Sequence, residues 1–372
     1  MEYSKHSFSE LSVEARVASH SPERGIAEHH AVLQCLDLRM PFAQQLASMR
    51  QAVARLAALL PKARPVFARY FVSDAANQAQ GLSDGWECAV SVVQQPPLNG
   101  AKLALWIYYQ EEARPVRSGS MWMVEHGSCR HYWLGSACVP GADSYKATYD
   151  MLDDYARQLG DMGMNLADNC MRTWFFVRDV DVNYRGVVEG RNRLFDRHGL
   201  TADTHYIAST GIGGVPARPD VAVLMDAYAV GGIKPEQVKY LHAPSHLNPT
   251  HEYGVAFERG TAVDYPDRRH VFISGTASIN NRGEVEHPGD IVRQTARMLE
   301  NVEALLADAE CGWRDVAHCI VYLRDTADYT VVSEIFAERL PDMPRVITLA
   351  PVCRPGWLVE VECMAIKAIH NA

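Results

Sequence analysis

His270-Val-Phe-Ile-Ser-Gly-Thr-Ala277, then Met298-Leu-Glu-Asn-Val302, then Cys319-Ile-Val-Tyr-Leu-Arg-Asp325 and Tyr329, form a pattern the chain carries more than once. Residues 131–184 give it as His131-Tyr-Trp-Leu-Gly-Ser-Ala137, Met151-Leu-Asp-Asp-Tyr155, Arg172-Thr-Trp-Phe-Phe-Val-Arg-Asp179 and Tyr184. A fainter copy runs from Phe42 through Met49 to Arg69-Tyr-Phe-Val-Ser-Asp74. Self-similarity of this kind decides the fold before any local propensity does. It also directs attention to the polar residues that the copies do not share.

Within the last copy, Arg269–Ser274 is a short apolar run ending at Gly275, followed by a polar turn over Asn280–Gly283. Asp290 offers an N-cap. Ile291, Val292, Thr295, Met298, Leu299, Val302, Leu305 and Leu306 then follow at helical spacing. A strand over Ile320–Leu323, a helix over Tyr329–Leu340 stopped before Pro341, and strands over Val346–Leu349 and Leu358–Ile366 complete the unit. The middle copy repeats this order, with helices at Ala147–Gly160 and Val187–His198, a strand at Thr173–Val177 between them, and strands near Tyr206 and over Val221–Val230. The expected fold is α+β: tandem units, each a mixed sheet with two helices on one face. Joints at 112–118 and 231–236 divide the chain into units 1–112, 113–235 and 236–372, the first degenerate. Three such sheets can bury their bare faces against one another in a closed, pseudo-trimeric barrel.

The chain has 372 residues, of which 48% are hydrophobic and 22% charged, ordinary for a globular protein. A net charge of −9 argues against a nucleic-acid partner. No apolar run is long enough to span a membrane, and the first residues lack the basic and apolar regions of a secretory signal. Nine scattered cysteines without zinc spacing read as buried thiols of a reducing, cytoplasmic compartment. Fifteen histidines include only the clusters His29-His30, His242/His246 and His251, none with a carboxylate at ligand spacing, so no metal is expected.

The third unit resembles the RidA/YjgF family, also described as endoribonuclease L-PSP. The resemblance rests on Ile273-Ser-Gly-Thr276 with Gly283-Glu-Val285, Gln294-Thr295, Asn301-Val-Glu303, Pro344-Arg345 and Val359-Glu-Val-Glu362. It implies trimer-like clefts and hydrolysis of reactive enamines and imines without metal or organic cofactor. The whole chain is also similar to chorismatases, single chains of comparable length with a RidA-like C-terminal half. Cys353-Arg-Pro355 followed by Leu358-Val-Glu360 carries that likeness, with Phe257-Glu-Arg-Gly260 resembling the segment whose Arg grips chorismate.

Arg345 and Glu360 fall on the RidA family's carboxylate-binding Arg and water-activating Glu, at the same separation, and are the expected catalytic pair. A guanidinium fork matches a carboxylate with two parallel hydrogen bonds, and a cleft Glu can deprotonate a water. Unit two has Leu224 in place of Glu360, and unit one an apolar residue within Lys102–Trp106. That difference favours function over solvated-surface chemistry. Glu362, shared as Asp226, reads as structural, a partner for a helix or for an inter-unit salt bridge. Gly275 is expected to bring backbone polar groups to the ligand. Thr276, Cys353 (a lining thiol), Arg259, Arg354, and an aromatic lid of Tyr253 and Phe257 complete the expected binding set. The first functional expectation is a RidA-family hydrolase, a deaminase of a small carboxylate-bearing enamine or imine. The alternatives are chorismatase-like hydrolysis of an enolpyruvyl ether, in which Glu360 protonates the methylene, and a non-catalytic small-molecule-binding protein. A monomeric pseudo-trimer or weak oligomer is expected.

Overall fold

The computed structural model describes residues 1–23 and 25–369. Unit one contains β1 (Glu2–Phe8), β2 (Val13–His20), β3 (Glu28–Cys35), α1 (Phe42–Leu59), β4 (Ala63–Val72), α2 (Ala75–Gln78), β5 (Ala89–Gln94) and β6 (Leu103–Glu111). Unit two contains β7 (Val116–Ser118), β8 (Met121–His126), β9 (Cys129–Cys138), α3 (Ser144–Asp161), α4 (Leu166–Asn169), β10 (Cys170–Val177), α5 (Val180–Arg197), β11 (Ala208–Gly213) and β12 (Val223–Gly231). Unit three contains β13 (Val238–Leu241), β14 (Gly260–Asp264), β15 (Arg268–Ala277), α6 (Ile291–Asp308), β16 (Val316–Leu323), α7 (Tyr329–Arg339), β17 (Arg345–Leu349) and β18 (Val359–Ala368).

The repeat in sequence is a repeat in topology. The sheets run β1-β2-β3-β6-β4-β5, β7-β8-β9-β12-β10-β11 and β13-β14-β15-β18-β16-β17, one order three times. Only the last pair of each, β4/β5, β10/β11 and β16/β17, is parallel. Unit one is therefore complete as a sheet and degenerate in its helices. Its second helix, α2, is a single turn, and the chain beyond it passes through Gly81 and Gly85 at positive φ, which no helix accommodates. Each sheet also has two outer strands that the repeat pattern does not reveal. Strands such as β1 and β7 are polar or very short, as sheet edges tend to be.

Capping follows the expected chemistry. The Asp290 side chain accepts from the Arg293 N–H, and the apolar stripe of α6, Met298 to Leu306, is buried on its sheet. The other faces of the three sheets meet at the centre. There Trp106 stacks on His318 with ring centroids 4.0 Å apart, Trp133 lies 4.3 Å from Tyr228, and Phe67 lies 5.1 Å from Trp133. Buried ion pairs join the units. Arg69 of unit one donates to Asp226 of unit two at 2.8 Å, and Arg172 of unit two to Glu362 of unit three at 2.8 Å. Arg268 of unit three pairs with Glu28 of unit one at 2.6 Å. Glu362 thus makes an inter-unit salt bridge, completed by the Trp174 indole N–H at 2.9 Å.

Three seams separate the units, and they are not alike. Between units one and two, Gly135 lies against the Val90 backbone so closely that a Cβ would come within 2.4 Å of the Val90 oxygen. The Ser136 hydroxyl accepts from Val92 N–H at 2.9 Å, and this seam is shut. Between units three and one, β17 is fastened by Leu98 N–H to Ile347 O and Leu349 N–H to Pro96 O. Between units two and three, Glu258 N–H bonds Ile207 O at 3.1 Å and Gly213 N–H bonds Pro351 O at 2.9 Å, and a cleft remains between these fastenings. Among the described residues no helix is long and apolar enough to cross a membrane.

Candidate active site

A cleft opens between units two and three. Unit two contributes Tyr184 and Arg191 from α5 and Ser209, Thr210 and Gly211 from β11. Unit three contributes Tyr253, Phe257 and Arg259 from the segment before β14, Gly275 from β15, Cys353, Arg354 and Trp357 from the loop before β18, and Glu360.

Glu360 lies opposite Tyr322 in the β16/β18 ladder. The equivalent pairs in the other sheets are Phe176 with Leu224 and Phe71 with Ala104, so the acid is peculiar to unit three. It is 4% exposed, and burial raises its carboxyl to about 8, with the neighbouring Glu362 pushing the same way and Arg172 and Arg259 opposing. At neutral pH this side chain is an acid holding its proton. Gly275 makes room for it. A Cβ there would stand 2.1 Å from Glu360 Oε1, so any side chain would displace the carboxyl. The Gly275 amide, expected to face a ligand, is instead spent on the Thr210 hydroxyl at 2.9 Å.

Arginines line the same cleft. Arg191 is 1% exposed, and its Nε and Nη2 have no hydrogen-bond partner among the described residues. Burial lowers its affinity for the proton, while the Tyr184 phenol beside it opposes that. A buried guanidinium with idle donors calls for an anion. Arg259 is anchored through the Asn248 carbonyl at 3.0 Å and Asn248 Oδ1 at 3.1 Å. Its guanidinium lies 5.5 Å from both the Tyr253 and Phe257 rings, and the exposed Arg354 lies 5.0 Å from Tyr253. The lid aromatics hold the cations by their faces. The Cys353 thiol is pushed up to about 12, chiefly by burial and then by Glu360, so it lines the cleft as a neutral thiol.

Arg345 is not in this cleft. Cys319 pairs with Arg345 in β16/β17, whereas the corresponding pair in β10/β11 is Thr173 with Ser209. The Glu360 cleft receives the β11 edge of unit two, and with it Ser209. The β17 edge faces unit one instead. There Arg345 donates to Leu340 O at 2.7 Å and lines a separate polar cleft with Glu14, Arg16, Gln34 and Asn99. The expected Arg345–Glu360 pair is therefore divided between two seams. Thr276 is also withdrawn: it is buried, pairs with Val361 and donates to Ser274 O at 2.9 Å. Arg191 and Thr210 escaped the sequence reading. Counting seven residues on from the matched tyrosines Tyr184 and Tyr329 sets Arg191 against Phe336, the same polar-for-apolar contrast that marked Glu360. Among the described residues no group of three or more His, Cys, Asp or Glu is placed to hold a metal ion.

Residues 258–367 match the family model described as endoribonuclease L-PSP. The chain is 30% identical over 97 residues to a 3-aminoacrylate deaminase RutC of Acinetobacter baylyi, covering 26% of this chain and 77% of that protein. It belongs to the RidA/YjgF superfamily. Over a longer span it is 27% identical to a 3-hydroxybenzoate synthase of Streptomyces hygroscopicus, across 289 residues, 69% of this chain and 79% of that protein. It is 29% identical to a chorismatase of Streptomyces rapamycinicus, across 280 residues, 67% and 78% of the two chains. A chorismatase crystal structure superposes with a TM-score of 0.65 at 20% identity, covering 81% of this chain and 93% of that one, so the fold is that of a chorismatase.

Proposed function

We propose that this protein is a hydrolase that cleaves the enolpyruvyl ether of chorismate, releasing pyruvate and a ring product. The observation that carries the reading is Glu360, a buried carboxyl raised to about 8 that lines one cleft together with Arg191, Arg259 and Arg354. Imine hydrolysis of the expected kind needs an ionised base beside a carboxylate-binding Arg345, and neither condition is met around Glu360. An enol ether needs the opposite: a neutral acid to protonate its methylene carbon. The resulting oxocarbenium takes up water. The hemiketal then collapses, breaking the bond to the ring oxygen, which takes a proton as pyruvate leaves. Arg191, Arg259 and Arg354 suit a substrate with two carboxylates, by charge and by fork geometry. The likeness to a 3-hydroxybenzoate synthase and a chorismatase supports the same choice.

The test is incubation of the purified protein with chorismate, with pyruvate followed by coupled reduction. Pyruvate formation that Glu360→Gln abolishes is expected. Ammonia from enzymatically generated 2-aminoacrylate, without pyruvate from chorismate, would return the reading to the deaminase.

A further inference from the structure

The Thr210 hydroxyl sits at the wall of the cleft, on a residue 1% exposed, between two donors. Arg172 Nη2 donates to its oxygen at 2.5 Å and the Gly275 N–H donates to it at 2.9 Å. Both lone pairs of the oxygen are thereby engaged. The hydroxyl proton has only the third tetrahedral direction left, and among the described residues it is donated to none. A buried donor without an acceptor is costly unless a ligand or water supplies one.

The two donors are themselves immobile. Arg172 is 1% exposed, and the same Nη2 donates to Glu362 Oε2 at 2.8 Å, while Glu362 also accepts from Trp174. Gly275 belongs to β15, where the ladder with β18 shifts register between Ile273 and Thr276. The Thr210 methyl would come within 3.1 Å of a Gly275 Cβ and the Glu360 carboxyl within 2.1 Å, so hydroxyl and acid converge on one glycine. The neighbouring seams lack this arrangement. The residue matched to Thr210 across its strand pair is Val346 in unit three, and in unit one it is Ser91 in the shut seam.

We infer that Thr210 is a substrate-binding donor, its hydroxyl proton aimed by Arg172 and Gly275 at a substrate oxygen beside the carbon that Glu360 protonates, with Arg172 and Glu362 as positioning residues. The inference rests on the chorismate reading for the identity of that oxygen. The existence of the aimed donor does not depend on it. Arg172 and Glu362 then link the barrel's interior to the chemistry: the salt bridge that joins units two and three also fixes the direction of a hydrogen bond in the cleft between them.

Thr210→Val keeps the shape and removes the hydroxyl, Thr210→Ala removes it with less crowding, and Thr210→Ser keeps it. With chorismate, Val and Ala should each lower kcat/KM about tenfold to a hundredfold, while Ser stays within about threefold of the parent. Arg172→Lys should leave KM little changed and lower kcat, because a single ammonium cannot serve Glu362 and Thr210 with the same geometry. Equal activity in Thr210→Ala and Thr210→Ser, in proteins that melt alike, would overturn the inference. A wild-type protein inactive on chorismate would instead remove the reaction and leave the donor to a second measurement. In a crystal structure of the wild-type protein soaked with 3-hydroxybenzoate, a ligand or water oxygen about 2.7–3.0 Å from Thr210 Oγ1 on the cleft side is expected. An empty cleft face at that oxygen would overturn the inference without reference to turnover.

Discussion

Glu360 carries opposite consequences for activity and stability. Its folded-state carboxyl is raised to about 8 from 4.5. The group therefore favours the folded state fully only below its unfolded value, and that advantage is lost as pH rises toward about 8. Glu360→Gln should match the parent's stability near pH 4. It should gain on the parent by up to about 1.4 kcal/mol per pH unit above that, then level off. Denaturant midpoints across this range check the point, and a constant difference would refute a raised carboxyl. Turnover should fall about a hundredfold or more in the same variant, and the parent's rate should decline above about pH 8 as the acid ionises. Arg191→Met and Arg345→Ala form a second contrast. The former removes a buried charge with idle donors, so it should raise KM for chorismate at least tenfold while leaving melting unchanged or higher. The latter should leave kcat/KM within about twofold, because Arg345 serves another seam. Steady-state kinetics on the two variants decides the matter. At this scale the sequence singled out Glu360, whose copies are apolar, and the structure places it in the cleft. It misdirected for Arg345, because separation along a strand pair does not say which neighbour each strand edge will meet.

Helices with capped ends and apolar stripes were legible. Asp290 caps α6 as its position suggests, and α3 and β16 cover the segments expected, whereas α5 begins at Val180, earlier than the expected Val187. The outer strands of each sheet were not. Strands such as β7, three residues long, and β13, four residues long, are ordered by the sheet they join, not by their own pattern. The shut seam is equally silent in sequence, since Gly135 reads there as an ordinary strand glycine. Its role follows from the Val90 backbone against it. Gly135→Ala should cost about 1–3 kcal/mol by forcing β5 and β9 apart. A shift in the unfolding midpoint without loss of substrate affinity is the expected result, because the active cleft lies at another seam.

Taken whole, the molecule supplies from one chain the three sheets that bury one another's inner faces. We therefore expect a monomer in light scattering at micromolar concentration, and an obligate trimer stable to dilution would contradict it. Turnover should saturate with one productive site per chain, since Glu360 occurs once and Leu224 and Ala104 replace it elsewhere.

The ring closes between the first and last segments of the chain. The Tyr3 hydroxyl donates to Val316 O at 2.7 Å, Arg268 meets Glu28, and Trp106 lies against His318. A ribosome makes these partners in the wrong order for early comfort. At about 5–20 residues per second, the inner face around Trp106 waits on the order of ten seconds or more for its cover to be synthesised. During that interval the nascent barrel is an open arc with an aromatic lining, the kind of transiently exposed apolar surface that favours aggregation over folding. A circular permutant begun at the shut seam between units one and two would shorten the wait for Trp106, because units three and one would then be made in immediate succession.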